Sequence, residues 1–193
     1  MARTQVQEAV DQEDATSEGS RRVTWHPSRG ARPALWYFTK DVGVLRVVWN
    51  WTCLSLAKYT PWFRPKNWWL RRTGMKVGKG VALGFSAQPD LLFPGDITLE
   101  DDCTVGYGTT LLCHGYLHDR YQRGPVTVGR RATVGADCTI LPGVTIGEGA
   151  VIAAKSLVNR DVPEGEFWGG IPARRLGTVA ERFPPLVPAS RNP

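Results

Sequence analysis

From residue 77 onward the chain is written in sixes. Val128, Val134, Ile140, Ile146, Ile152 and Val158 recur at a spacing of six, as do Val77 with Leu83, and Leu99 with Val105 and Leu111. A second compact residue stands four places after each aliphatic, as at Val81, Ala87, Cys103, Thr109, Ala132, Cys138, Val144, Ala150, Ser156 and Val162. A helix of 3.6 residues per turn carries residues six apart through about 600°, off a common face by about 120°. The period therefore excludes a helix. Three short strands joined by three corners make one triangular coil, and parallel stacking of such coils makes an all-β solenoid with aliphatic ladders inside. The glycines that follow many of the aliphatics (Gly78, Gly84, Gly106, Gly129, Gly135, Gly147) are expected to supply corner backbone angles.

At 193 residues the chain has room for one domain of ordinary size. Its net charge of +6 lies wholly in residues 33–75, which carry seven basic side chains and one acidic. Residues 76–193 carry twelve of each. A charge so localised excludes a uniformly basic nucleic-acid binder, and no nucleic acid is expected as partner. Cys53, Cys103, Cys113 and Cys138 show no C-x-x-C pair and read as reduced thiols, which with the absence of a secretory signal implies a cytoplasmic protein.

Four regions follow: a polar, disordered tail at 1–32, a Trp-rich basic collar at 33–75, the solenoid at 76–176, and a Pro-rich C-terminal tail at 177–193. The collar holds six of the eight tryptophans, and "LWYFTKDVGVLRVVWNWTCLSLAKYT" reads as a helix apolar nearly all round. Its longest uncharged run, Val47–Ala57, is eleven residues. Spanning a bilayer takes about 20. Two roles remain: packing on the prism or on a neighbouring subunit, or peripheral contact with an anionic membrane at its inner face.

Insertions leave a solenoid as loops and often carry function. The smaller, "QPDLLFPGD" (88–96), contains Asp90; the larger, "HGYLHDRYQRGP" (114–125), contains His114 and His118, two of three histidines. The repeat register, the histidine at the mouth of an extruded loop, and "LPGVTIGEGAVIAAKSLVNRDVPEGEFWGGIPAR" (141–174) together resemble the hexapeptide-repeat acyltransferases, among them the maltose and galactoside O-acetyltransferases. That resemblance implies a left-handed parallel β-helix, a homotrimer with active sites between prisms, acetyl-CoA as co-substrate, and a sugar-like small-molecule acceptor. No metal is expected.

By the same resemblance His114 aligns with the catalytic general base, and a neutral imidazole suits that task near neutral pH. Ala136, Ala154, Asn159, Arg160 and Arg174 match cofactor-binding positions. Asn159 and Arg160 stand where many relatives have Thr and Lys, and arginine keeps the phosphate-binding charge. Asp90, Tyr116 and His118 are assigned to the acceptor by position alone. No G-x-S-x-G elbow is present, and Cys113, beside His114 on a strand, should point to the opposite face; direct transfer without a covalent enzyme intermediate is expected. The alternatives are a catalytically silent scaffold docked at a membrane, and a zinc protein like the γ-class carbonic anhydrases. The third histidine, His26, lies in the polar tail, which argues against the zinc protein.

Overall fold

The computed structural model describes residues 21–184. The disordered tail expected at 1–32 and the Pro-rich tail expected at 177–193 fall in part outside the described residues. Three faces of parallel strands build the prism. The first stacks Lys76–Val77, Ile97–Leu99, Val126–Val128 and Thr145–Ile146. The second stacks Ala82–Leu83, Thr104–Val105, Thr133–Val134, Val151–Ile152 and Glu166–Gly170. The third stacks Gln88–Pro89, Thr110–Leu111, Thr139–Ile140 and Leu157–Val158. Leu99, Val105, Leu111, Val128, Ile140 and Ile146 are all buried at 0–1% exposure, as the six-residue ladder requires. The compact fourth-place residues Cys103, Thr109, Ala132, Cys138, Val144 and Ala150 complete the interior at 0–1%.

The glycines play a different part from the one expected. Left-handed corner angles fall on Ser86, Asp102, Arg131, Asp137 and Lys155 as well as on Gly80, Gly108 and Gly149. The glycines directly after the aliphatics have no positive φ; they stand where successive coils press together. A Cβ on Gly135 would lie 2.5 Å from the backbone nitrogen of Ala154. Coil spacing, rather than backbone angle, selects glycine there.

A solenoid leaves the polar backbone of its first coil without a neighbour, and the collar covers it. The expected single helix breaks at Gly43, whose φ of +84° no helix accommodates. It divides into a 3₁₀ turn at Ala34–Tyr37, α1 (Phe38–Val42) and α2 (Val44–Tyr59), followed by α3 (Phe63–Arg72). From α3, the Asn67 side-chain amide donates to Val81 O at 2.9 Å, Lys66 Nζ to Leu83 O at 3.1 Å, and the Arg71 guanidinium to Val77 O at 2.9 Å and Gly78 O at 2.8 Å. Burial lowers the Lys66 pKa, the consequence of keeping an ammonium there. On α2, Asn50, Cys53 and Ala57 form the buried stripe, while Val44, Leu45, Val48, Trp49, Trp51 and Tyr59 stay exposed. Packing on the prism thus accounts for one face of the helix. No described helix is long and apolar enough to cross a membrane.

Three segments expected as loop or tail contain regular structure. The extruded loop is a β-hairpin of His114–Tyr116 and Arg120–Arg123, and Thr24–Pro27, placed by sequence in the disordered tail, adds a third antiparallel strand. His26 stacks on Tyr121 with ring centroids 4.8 Å apart, which helps to hold that strand. Beyond the last coil, Ala173–Thr178 pairs back antiparallel on Glu166–Gly170, and a short helix, α4 (Val179–Arg182), opens with a capping box from Thr178 to Glu181, so the tail expected from 177 begins with ordered structure.

Asn67→Ala should leave the Val81 carbonyl buried without a donor and lower stability by about 1–3 kcal/mol. A urea titration followed by circular dichroism measures the loss.

Candidate active site

Both insertions leave the prism at the same corner, between the third and first faces, one coil apart. Pro89 pairs with Leu111 in the third face, so Asp90 and the residues after Leu111 emerge beside one another. Asp90 Oδ2 lies 2.6 Å from His114 Nδ1 and accepts the Cys113 backbone N–H at 2.7 Å. Its Oδ1 accepts the N–H groups of Leu92 and Phe93, each at 2.9 Å. The Asp90 side chain is fully buried, whereas that of His114 retains 19% of its exposure.

Asp90, assigned by position to the acceptor, is therefore not an acceptor contact: every oxygen is taken and no solvent reaches it. Burial alone would push its carboxyl pKa up; the hydrogen bond and charge of His114, with the N–H groups of Phe93 and Cys113, outweigh burial and the net shift is downward. An ionised carboxylate can only accept. The carboxylate therefore accepts from an N–H at His114 Nδ1, and in the neutral imidazole the lone pair falls on Nε2. Phe93 and Tyr116 pack edge-on to the imidazole, with centroids 5.7 Å and 5.2 Å away, and fix the ring plane.

The accessible side of His114 faces an open cleft of about 670 Å³ whose other walls are Pro33, Leu35, Trp36, Phe38, Leu91 and Leu92. Sequence reasoning missed all six walls. Trp36 and Leu35 belong to the collar and Leu91 and Leu92 to the smaller insertion, and no local pattern announces that these segments meet. Asn50 of α2 contributes to that meeting by donating to Leu91 O at 3.0 Å.

Tyr116 is half-buried; its hydroxyl reaches Asp41 Oδ2 at 3.5 Å, and Asp41 also pairs with Arg29 at 2.8 Å, which ties hairpin to collar. Burial, with the Asp41 charge next, raises the Tyr116 pKa. His118 stands exposed at the hairpin tip and does not line the cleft. Cys113 is wholly buried, and desolvation, then the Asp90 charge, pushes its thiol pKa up, the reverse of what a nucleophile needs. Among the described residues no group of three or more His, Cys, Asp or Glu is arranged to hold a metal.

The residues matched to the cofactor lie in three places. Asn159 and Arg160 follow the third-face strand Leu157–Val158, at the His114 corner two coils further along the prism. Asn159 Oδ1 and Arg160 Nε are buried there without a hydrogen-bond partner. Ala136 and Ala154 sit at the corner between the second and third faces, a different prism edge. Arg174 lies opposite Gly169 in the terminal antiparallel pair, on the second face. One prism does not bring Ala136 and Ala154 to His114.

Residues 125–160 match the family model described as bacterial transferase hexapeptide (six repeats). The putative acetyltransferase YvoF of Bacillus subtilis (strain 168) is 44% identical over 163 residues, covering 83% of this chain and 94% of that protein. The galactoside O-acetyltransferase of Escherichia coli (strain K12) is 26% identical over 136 residues, 63% of this chain and 62% of that one. Among solved structures, a maltose O-acetyltransferase from Clostridium difficile 630 superposes with a TM-score of 0.56 at 20% identity, covering 70% of this chain and 87% of that one. The hexapeptide-repeat acetyltransferase VCA0836 of Vibrio cholerae O1 biovar eltor, complexed with acetyl coenzyme A, also gives 0.56 at 20% identity, covering 70% and 88%. The likeness to these two structures concerns the fold, the left-handed parallel β-helix. Identity of 44% across nearly the whole of a relative goes further, and the chain belongs to the hexapeptide-repeat acetyltransferase family.

Proposed function

We propose that the chain transfers an acetyl group from acetyl-CoA to a hydroxyl or amine of a sugar-like acceptor, with His114 as general base. The observation that carries this reading is the buried Asp90 carboxylate 2.6 Å from Nδ1 of His114, behind an imidazole that lines an open cleft. Nε2 takes the proton from the acceptor O–H or N–H as that atom attacks the thioester carbonyl. The tetrahedral adduct then expels the thiolate, which recovers the proton from the imidazolium. No covalent bond to the protein forms. General-base action of this kind contributes about 10²–10⁴ in rate.

Asn159 and Arg160 would hold polar groups of the co-substrate, and their unpartnered buried atoms suit that task. Ala136, Ala154 and Arg174 would act from a neighbouring copy in a homotrimer, because they lie off the edge that carries His114. The solved relative in complex with acetyl coenzyme A supports the donor, and the name of the galactoside O-acetyltransferase supports the acceptor class. A catalytically silent scaffold has no use for a carboxylate buried behind a histidine.

The exposed α2 residues Leu45, Trp51 and Tyr59, with Trp62 and the nearby Lys58 and Arg64, support peripheral contact with an anionic lipid surface. In flotation assays the protein should rise with anionic liposomes and stay down with neutral ones; recovery only at the bottom of both gradients removes the membrane role.

His114→Ala should lower acceptor-dependent thiol release from acetyl-CoA by about 10²-fold or more without loss of fold. Unchanged turnover would overturn the mechanism. Asp90→Asn should also cut kcat, by about 10²-fold, because an amide no longer enforces the Nδ1–H tautomer. Its stability effect has a definite sign. The folded Asp90 pKa lies below the ordinary value of 3.8, so the stabilisation is full above 3.8 and fades as pH falls through the folded value. The gap in urea midpoint between wild type and Asp90→Asn should be wide at about pH 6 and narrow in strong acid.

A further inference from the structure

Six of the seven residues around the cleft are apolar, and His114 supplies its polar group. An unadorned sugar places a hydroxyl on nearly every carbon. Each hydroxyl pressed against Pro33, Leu35, Phe38, Leu91 or Leu92 would lose water and gain no side-chain partner, which penalises binding. An alkyl or aryl group gains from the same walls.

The cleft is also on the acceptor side of the histidine. Leu91 and Leu92 follow the third-face strand one coil before His114, whereas Asn159 and Arg160 follow the strand two coils after it. A donor held toward Asn159 and Arg160 approaches His114 from the far side, and the cleft remains for whatever presents the nucleophile. Resting on the transfer reading above, we infer that the acceptor is amphiphilic: its reacting hydroxyl or amine is joined to an alkyl or aryl group that occupies the cleft against Trp36, Leu35 and Leu91. Trp36 and Leu35 are 65% and 51% exposed, so they contribute walls without being needed for the core.

The test uses the full chain and matched acceptors, the methyl and n-octyl glycosides of the same hexoses, kept below the micellar concentration, with initial rates of thiol release from acetyl-CoA. Octyl members should show kcat/KM at least about tenfold above their methyl partners, the return on burying only two methylenes. Trp36→Ala should move that ratio toward one. Saturation-transfer NMR with octyl glucoside and no CoA should show the alkyl chain bound to wild type and weakened in Trp36→Ala. Equal rates for the two series, or an absent alkyl signal, overturns the inference and leaves the transfer reading standing. A preference that instead follows the donor, octanoyl-CoA over acetyl-CoA, also overturns it by making the cleft an acyl-chain pocket. The transfer reading fails separately, if His114→Ala turns over both series as wild type does.

Discussion

Parallel pairing of successive coils in fixed register is the constraint on which everything else rests. Leu99, Val128 and Ile146 stack in one face because Val128 pairs with both of its neighbours, and the same holds for Val105, Val134 and Ile152. Once the ladder is set, extra residues have nowhere to go but out at a corner. Both insertions take the same corner, and their adjacency along the prism edge is what places Asp90 beneath His114. The Asp90–His114 pair is a by-product of register. It needs no recognition between the insertions themselves.

The ladder also sets its own problem at the first coil, whose carbonyls have no coil beyond them. Lys66, Asn67 and Arg71 of α3 solve it with side-chain donors. Backbone groups cut off from water require such partners, so the basic character of the collar has a structural component as well as any role at a surface. Covering the first coil brings the preceding segment, residues 33–38, alongside Leu91 and Leu92. A cap for the backbone thereby becomes a wall of the cleft.

The hairpin at 114–125 shows how tertiary context turns a loop into structure. Its strands are only three and four residues long, and an isolated hairpin of that size is marginal in water. Thr24–Pro27 adds a strand, Tyr121 stacks between His26 and Tyr116, and Asp41 ties Tyr116 to Arg29. The partners from outside the hairpin, Thr24–Pro27, Arg29 and Asp41, are all distant from it in sequence. The polar composition of residues 21–32 pointed to disorder because the sheet that orders them is supplied from about a hundred residues away.

The sequence by itself determined the solenoid, its inward ladder and the exceptional position of His114, because a six-residue period is a local property that survives without knowledge of contacts. Tertiary structure alone decided where Asp90 stands, buried against His114 Nδ1 instead of open to the cleft, because that placement depends on which corner each insertion leaves. It decided the glycines too: Gly135 is set by the approach of Ala154 in the next coil, a distance no single coil contains. The apolar cleft was invisible for the same reason, since collar and insertion are separated along the chain by the first coil that one of them caps.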